Sequence, residues 1–281
     1  MKLHYLPFLV IAAAPACAAD WNAPQEPFAL YGNTYYVGPH GVSSVLITSP
    51  AGHILIDGGS PESPAQIAQH IRQLGFRIED VKYILNSHEH FDHAGGIAEL
   101  QRLSGAAVLT STAGAAVLRT GLSNKDDPQF TDLPSTLAPV ARVEAIADGG
   151  VLTVGPLRVT AHYTPGHAPG GVSWTWQSVE EGVAANMVYA DSLSAAAAKP
   201  YRFRDHPAVV ASLTRSIAAI AALPCDILIS AHPEASELWE RFEKAKVQGH
   251  TGFIDRNACR AYAAKASARQ ASVLAKEGGQ P

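Results

Sequence analysis

The stretch Val81 to Gly96 reads VKYILNSHEHFDHAGG and decides the interpretation of the chain. An apolar run with strand character, residues 81–87, ends in His88, Glu89, His90, Phe91, Asp92 and His93. AGGIAELQRLSG then reads as a helix that stops at Gly105. Residues i and i+2 of an extended backbone point to the same side, so His88 and His90 face one space. Asp92 and His93 sit where the chain turns into a helix and can reach that space from another direction. Imidazole and carboxylate are ligand types that zinc accepts. Four such donors exceed what one catalytic zinc takes from protein while keeping a water.

Two more apolar strands end in a histidine. LRVTAHYTPGH delivers His167 into a Pro/Gly-shaped turn, and DILISAH delivers His232 into a polar stop. Taken singly, each reads equally well as an ordinary loop histidine. Beside a cluster that needs partners they become ligand candidates. Six donors divide into two sets of three, each with a position left open. Two metals have a clear use: bound water falls to a pKa near ~7, one ion polarises a carbonyl, and the other steadies the departing negative charge. No G-x-S-x-G nucleophile motif is present. Zinc storage without catalysis is the competing reading, but Asp92 among histidines suits an activated water better. Of the other histidines, His4, His40, His53, His70, His162, His206 and His250, only His162 is expected near the site.

At 281 residues the chain suits one large domain or two small ones, and its 47% apolar, 16% charged composition is that of a globular protein. Residues 1–18 read as a secretory signal: Lys2, an apolar stretch from Leu6 to Ala14, then Ala16-Cys17-Ala18 as a small-x-small cleavage site. A lipid anchor on Cys17 is a minor alternative. Residues 19–281 are then a single exported domain, expected in the periplasm, with no later apolar run long enough to span a bilayer. The net charge of −4 comes without a basic block, so no nucleic acid partner is expected. Cys225 and Cys259 remain after signal removal. In an oxidising compartment the default is a disulfide between them.

Strands come first and close together, NTYYVG, VSSVLITS and GHILIDGG, which suggests antiparallel pairing. A helix is expected over residues 63–74, from Ile67, Ile71 and Leu74. AAVLTS follows as a strand, then LRVTAHY, GVSWTWQ and MVYADSLS, a helix over 207–223, the strand DILIS, and helices from about Ala235 and Asp255. Strands mixed with helices in both halves point to two packed sheets with helices outside. Trp174 and Trp176 share one strand face and read as core. Loops 121–130 and 196–205 could border a groove.

HEHFDHAGG, TPGHAPGG, YADSLS and SAHPE, in that order, resemble the metallo-β-lactamase superfamily. YGNTYYVG, SWTWQ, ADSLS and the Cys225/Cys259 spacing resemble its subclass B3 most closely. The resemblance covers nearly all of the chain after the signal. It implies an α/β fold, the αββα sandwich, two β-sheets face to face with helices outside and metals at one edge. It implies two Zn²⁺ per chain: His88, His90 and His167 on the first, Asp92, His93 and His232 on the second. Asp92 would also orient a metal-bound hydroxide, which makes it the catalytic carboxylate. Ser192 and Ser194 match serines that hold a substrate carboxylate, and Asp57 matches a carboxylate behind a ligand. The implied activity is opening of the β-lactam ring of penicillins, cephalosporins and carbapenems, giving β-lactam resistance, by a monomer that leaves the membrane once its signal is cut. A lactonase or thioesterase of the same fold is the runner-up, because related enzymes bridge their metals with an Asp at the position of Asp191. Ala168 departs from the Thr frequent after the third ligand.

Overall fold

The computed structural model describes residues 21–278; the expected signal, residues 1–18 with Cys17, lies outside them. Two sheets lie back to back between helices. The first has seven strands in sequence order: β1 (Phe28–Tyr31), β2 (Thr34–Tyr36), β3 (Val45–Ile47), β4 (His53–Ile56), β5 (Val81–Leu85), β6 (Ala107–Thr110) and β7 (Val143–Ala145). The pairs from β1 to β4 are antiparallel, as the short punctuated runs predict, and those from β4 to β7 are parallel. The second sheet runs β12-β11-β10-β9-β8: β8 (Val151–Val154), β9 (Leu157–Tyr163), β10 (Val172–Glu180), β11 (Val183–Ala190) and β12 (Ile227–Ser230). Its first four strands form an antiparallel meander, and β12 returns parallel to β11.

Strand alternation builds the layers. Ile54, Ile56 and Leu85 point between the sheets and meet Val159, Trp174, Met187 and Ile229. Their neighbours Leu55 and Ile84 point the other way, onto α1 (Pro64–Gln73), α3 (Ile97–Ser104) and α4 (Thr112–Thr120) through Ile67, Ile97 and Leu118. On the far face Val188 and Leu228 meet Leu213 and Ile217 of α5 (Pro207–Ala222) and Tyr262 and Ala263 of α7 (Ala258–Gly278). Strands covered on both faces must be apolar at successive positions, which is why ILI, VYA and ILI read as continuous runs. Trp174 and Trp176 are core, as expected.

Four elements have no counterpart in the sequence reading: β1, β7, β8 and α4. α4 is rich in small residues (TAGAAVLRT), which blurs its apolar face; Ser111 caps it by accepting the Gly114 N–H. After His232 the chain makes a 3₁₀ turn at Pro233–Ser236, so α6 (Leu238–Gln248) begins later than expected. Cys225, ahead of β12, and Cys259, in the first turn of α7, form a disulfide. No helix among the described residues is long and apolar enough to cross a membrane.

Candidate metal centre

The site forms where β5, β9, β11 and β12 end. Asp57, after β4, holds the end of β5 in place. Its Oδ1 accepts the Ser87 N–H at 2.6 Å and Asn86 Nδ2 at 3.1 Å. Its Oδ2 accepts Ser87 Oγ at 2.6 Å and the Tyr189 hydroxyl at 2.7 Å. Asp57 is fully buried with φ +61°, a conformation uncommon outside glycine and found where surrounding contacts over-determine it. Two bonds from β10 secure the same segment: Val172 N–H to Ser87 O at 2.6 Å and Trp174 Nε1 to Asn86 O at 3.3 Å. His90 then precedes the short helix α2 (Phe91–Ala94), which carries Asp92 and His93.

His167 lies on the loop between β9 and β10. The turn before it needs Gly166, at φ +140°, where a Cβ would fall 2.6 Å from that of Leu213. His232 follows β12, its Nδ1 3.3 Å from Gly41 O.

These elements converge on two groups of donors. His88, His90 and His167 offer ligand atoms within 4.8 Å of one another, and so do His88, Asp92 and His93. His232 completes the second group: its Nε2 lies 3.3 Å from Asp92 Oδ2 and 3.2 Å from His93 Nε2, with Asp92 Oδ2 and His93 Nε2 3.1 Å apart. All six residues expected as ligands therefore meet.

One nitrogen of each ring faces a group behind it, which for His93 Nδ1 is a carboxylate at ion-pair distance and not a hydrogen-bond partner. His88 Nδ1 lies 2.8 Å from Asp191 Oδ1, and His90 Nε2 lies 2.9 Å from Asp127 Oδ2. His93 Nδ1 is 3.6 Å from Asp57 Oδ2, and His167 Nδ1 is 3.1 Å from Ser194 O. This leaves Nδ1 of His90 and Nε2 of the other four for a common centre. Backing carboxylates and carbonyls fix ring orientation and raise ligand basicity. Asp191 thus sits behind His88, outside both donor groups.

The donor set fits a metal ion. Nε2 of His88 is buried with no hydrogen-bond partner among the described residues. Burial, with the imidazoles of His93, His90 and His167, pushes His88 well below the usual histidine range, so it stays neutral with a free lone pair. Burial and His90 do the same to His167. At Asp92 burial raises the carboxyl, but His93 and His232 outweigh it and hold it well below the usual range. At His93 burial is overcome by Asp92 and Asp57, which raise it to about 10. The second group is thus a place that attracts positive charge.

Ser192 and Ser194 line a cleft of about 480 Å³ with His232, Tyr262, Lys265 and Arg269. Ser194 has a second contact: its Oγ lies 2.9 Å from His167 Nδ1. Loops 121–130 and 196–205 join each other, Ala198 N–H to Pro128 O at 2.9 Å and Thr131 Oγ1 to Lys199 O at 3.1 Å. His162 is not at the site. It bonds Thr175 Oγ1 at 2.8 Å and lines a different cleft with Arg158 and Asn186, because it stands within β9 on the face opposite Val159 and Ala161 of the core. Sequence reasoning missed Asp127, which is distant in sequence from His90, and Trp21, whose ring packs against Phe91 and His232 at 5.6 and 5.8 Å.

Residues 37–232 match the family model described as the metallo-beta-lactamase superfamily. The chain belongs to this superfamily. Within it the chain groups with subclass B3. It is 62% identical to MEM-A1, a subclass B3 metallo-beta-lactamase from a soil metagenome library, with TM-score 0.91 over 93% of this chain and 100% of that one. It is 51% identical to metallo-beta-lactamase SMB-1, with TM-score 0.90 over 92% of this chain and 99% of that one. A more distant curated relative is the N-acyl homoserine lactonase AttM of Agrobacterium fabrum, 29% identical over 46% of this chain. The chain spans 57% of that relative's length.

Proposed function

We propose that the chain is an exported, zinc-dependent β-lactamase that opens the ring of penicillins, cephalosporins and carbapenems and so confers resistance. The observation that carries this reading is the meeting of two three-donor groups at one strand edge, in a chain 62% identical to a subclass B3 metallo-beta-lactamase. His88, His90 and His167 would hold one zinc, and Asp92, His93 and His232 the other. When bound, the ions lower the pKa of water to near ~7 and polarise the carbonyl under attack.

The remaining chemistry belongs to the chain. Asp92, kept ionised by His93 and His232, accepts a hydrogen bond from the attacking water and so orients its oxygen toward the carbonyl carbon. A C–O bond forms, the ring C–N bond breaks, and the nitrogen takes up a proton. Asp57 and Asp191 would support His93 and His88 from behind as ion-pair partners, at 3.6 and 2.8 Å. Ser192 faces the cleft and would receive the substrate carboxylate, and Ser194 would share that role with support of His167. Export to the periplasm rests on the signal-like residues 1–18 and on the disulfide.

A lactonase or thioesterase would draw support from an Asp bridging the two groups. Asp191 lies behind His88 instead, which favours the β-lactamase reading. The deciding experiment offers the purified protein a chromogenic cephalosporin, a carbapenem, an acyl lactone and a glutathione thioester, with and without chelator. Chelator-sensitive turnover of the lactams supports the proposal; turnover of only the lactone or thioester overturns it.

A further inference from the structure

We propose that Glu89, interleaved between His88 and His90, is the positioning residue that fixes the loop carrying His167 and so completes the three-histidine group. Glu89 is 4% exposed, and both its oxygens lie 3.1 Å from one donor, the backbone N–H of Gly170. Gly170 stands three residues after His167, and its carbonyl is held as well, accepting Ser111 Oγ at 2.8 Å. Both backbone groups of this one residue are thus tied to the first sheet, by a carboxylate from the β5 end and by the capping serine of α4. Val172 N–H to Ser87 O, at 2.6 Å, continues the same seam two residues on.

The packing is close. A Cβ at Gly170 would lie 2.2 Å from Glu89 Oε2 and 2.7 Å from the backbone N of Gly114, so neither the loop nor the carboxylate has room to move past the other. A buried carboxylate with a single N–H for two oxygens is costly where structure alone is served. Were His88 and His90 to hold a cation beside it, a charged Glu89 would gain a compensating neighbour. Glu89 therefore joins the strand that supplies two histidines to the loop that supplies the third. The inference rests on His88, His90 and His167 being metal ligands.

The test compares the full chain with Glu89→Gln, Glu89→Ala and Gly170→Ala. Two quantities are read: zinc affinity and stoichiometry, by competition with a chromophoric chelator, and hydrogen exchange of residues 164–171 in the metal-free protein. Glu89→Ala is expected to weaken one of the two zinc sites about 10–100-fold, the range for residues that support ligands, and to speed exchange at Gly170 by about 10-fold or more. Glu89→Gln keeps an acceptor for Gly170 and should restore most of the protection; the extent to which it restores affinity separates the hydrogen bond from the charge. Gly170→Ala reaches the same contact from the loop side and should reproduce the loss even if Glu89→Ala does not fold. Wild-type affinity and exchange in Glu89→Ala, or in Gly170→Ala where Glu89→Ala is not obtained, would overturn the inference. Failure of the wild-type chain to bind zinc would instead overturn the ligand reading on which the inference rests.

Discussion

Oδ2 of Asp127 lies 2.9 Å from Nε2 of His90, with the Asp127 side chain wholly buried. The contact joins a metal-edge histidine to the loop at residues 121–130. The loop carboxylate is itself braced, its Oδ1 accepting the Gln129 N–H at 2.7 Å. His90 is thereby turned to present Nδ1, where the other histidines present Nε2.

Asp127→Ala should therefore weaken metal binding by about 10–100-fold and lower kcat/KM, with Asp127→Asn milder because it keeps an acceptor. Zinc competition titrations of the two variants check this. Equal affinity in all three proteins would show that His90 holds its orientation without Asp127.

Ser192 and Ser194 line one cleft but differ in what else they touch. Ser192→Ala is expected to raise KM with zinc content unchanged. Ser194→Ala should raise KM too, and should also weaken zinc binding modestly, because Ser194 Oγ contacts His167 Nδ1 at 2.9 Å. Steady-state kinetics paired with metal analysis separates the two patterns.

Removing the Cys225–Cys259 disulfide, which closes a loop of 34 residues, should lower stability by about 2–4 kcal/mol. Five of the six ligands lie outside that loop, and His232 inside it has its Nδ1 at 3.3 Å from Gly41 O, so zinc content should not change. Urea unfolding of Cys225→Ser/Cys259→Ser with metal analysis of the folded variant reads both.

Asp226 gives a pH-dependent contribution beside that disulfide. It accepts the Asn186 N–H at 2.8 Å, Arg256 Nε at 3.0 Å and Asn186 Nδ2 at 2.8 Å, and these hold its carboxyl below the usual range. A carboxyl depressed in the folded state binds its proton more readily when unfolded. Its stabilisation is full above the unfolded pKa, about 3.9, and is lost as pH falls through the lower folded value. Asp226→Asn should lower the urea midpoint at pH 7, and its difference from wild type should shrink as the pH falls below about 3.9. A constant difference across that range would mean that ionisation is not the source.

The six donors were legible because they follow the ends of three apolar strands, β5, β9 and β12, a pattern that survives in one dimension. The sandwich was legible for the same reason: runs such as Ile54-Leu55-Ile56 and Ile227-Leu228-Ile229 are apolar at every position because both faces are covered. Asp127 was not legible, since its meaning comes from a contact with His90 across 37 residues of sequence. Asp57 was read only through the resemblance, as a carboxylate behind a ligand, and its four accepted bonds add that it braces Asn86, Ser87 and Tyr189. Glu89 had no reading at all, because its partner is a backbone N–H on another loop. α4 was hidden by its small residues, and β7 by having only three residues.

The central claim is that six side chains assemble a two-zinc hydrolytic site for β-lactams. The most direct measurement is zinc per chain, together with turnover of a chromogenic cephalosporin, for the wild-type chain and His90→Ala. The account predicts two zinc ions per wild-type chain, chelator-sensitive turnover restored by zinc, and loss of both turnover and tight metal in His90→Ala. Cephalosporin turnover that persists in the chelated protein or in His90→Ala would contradict it.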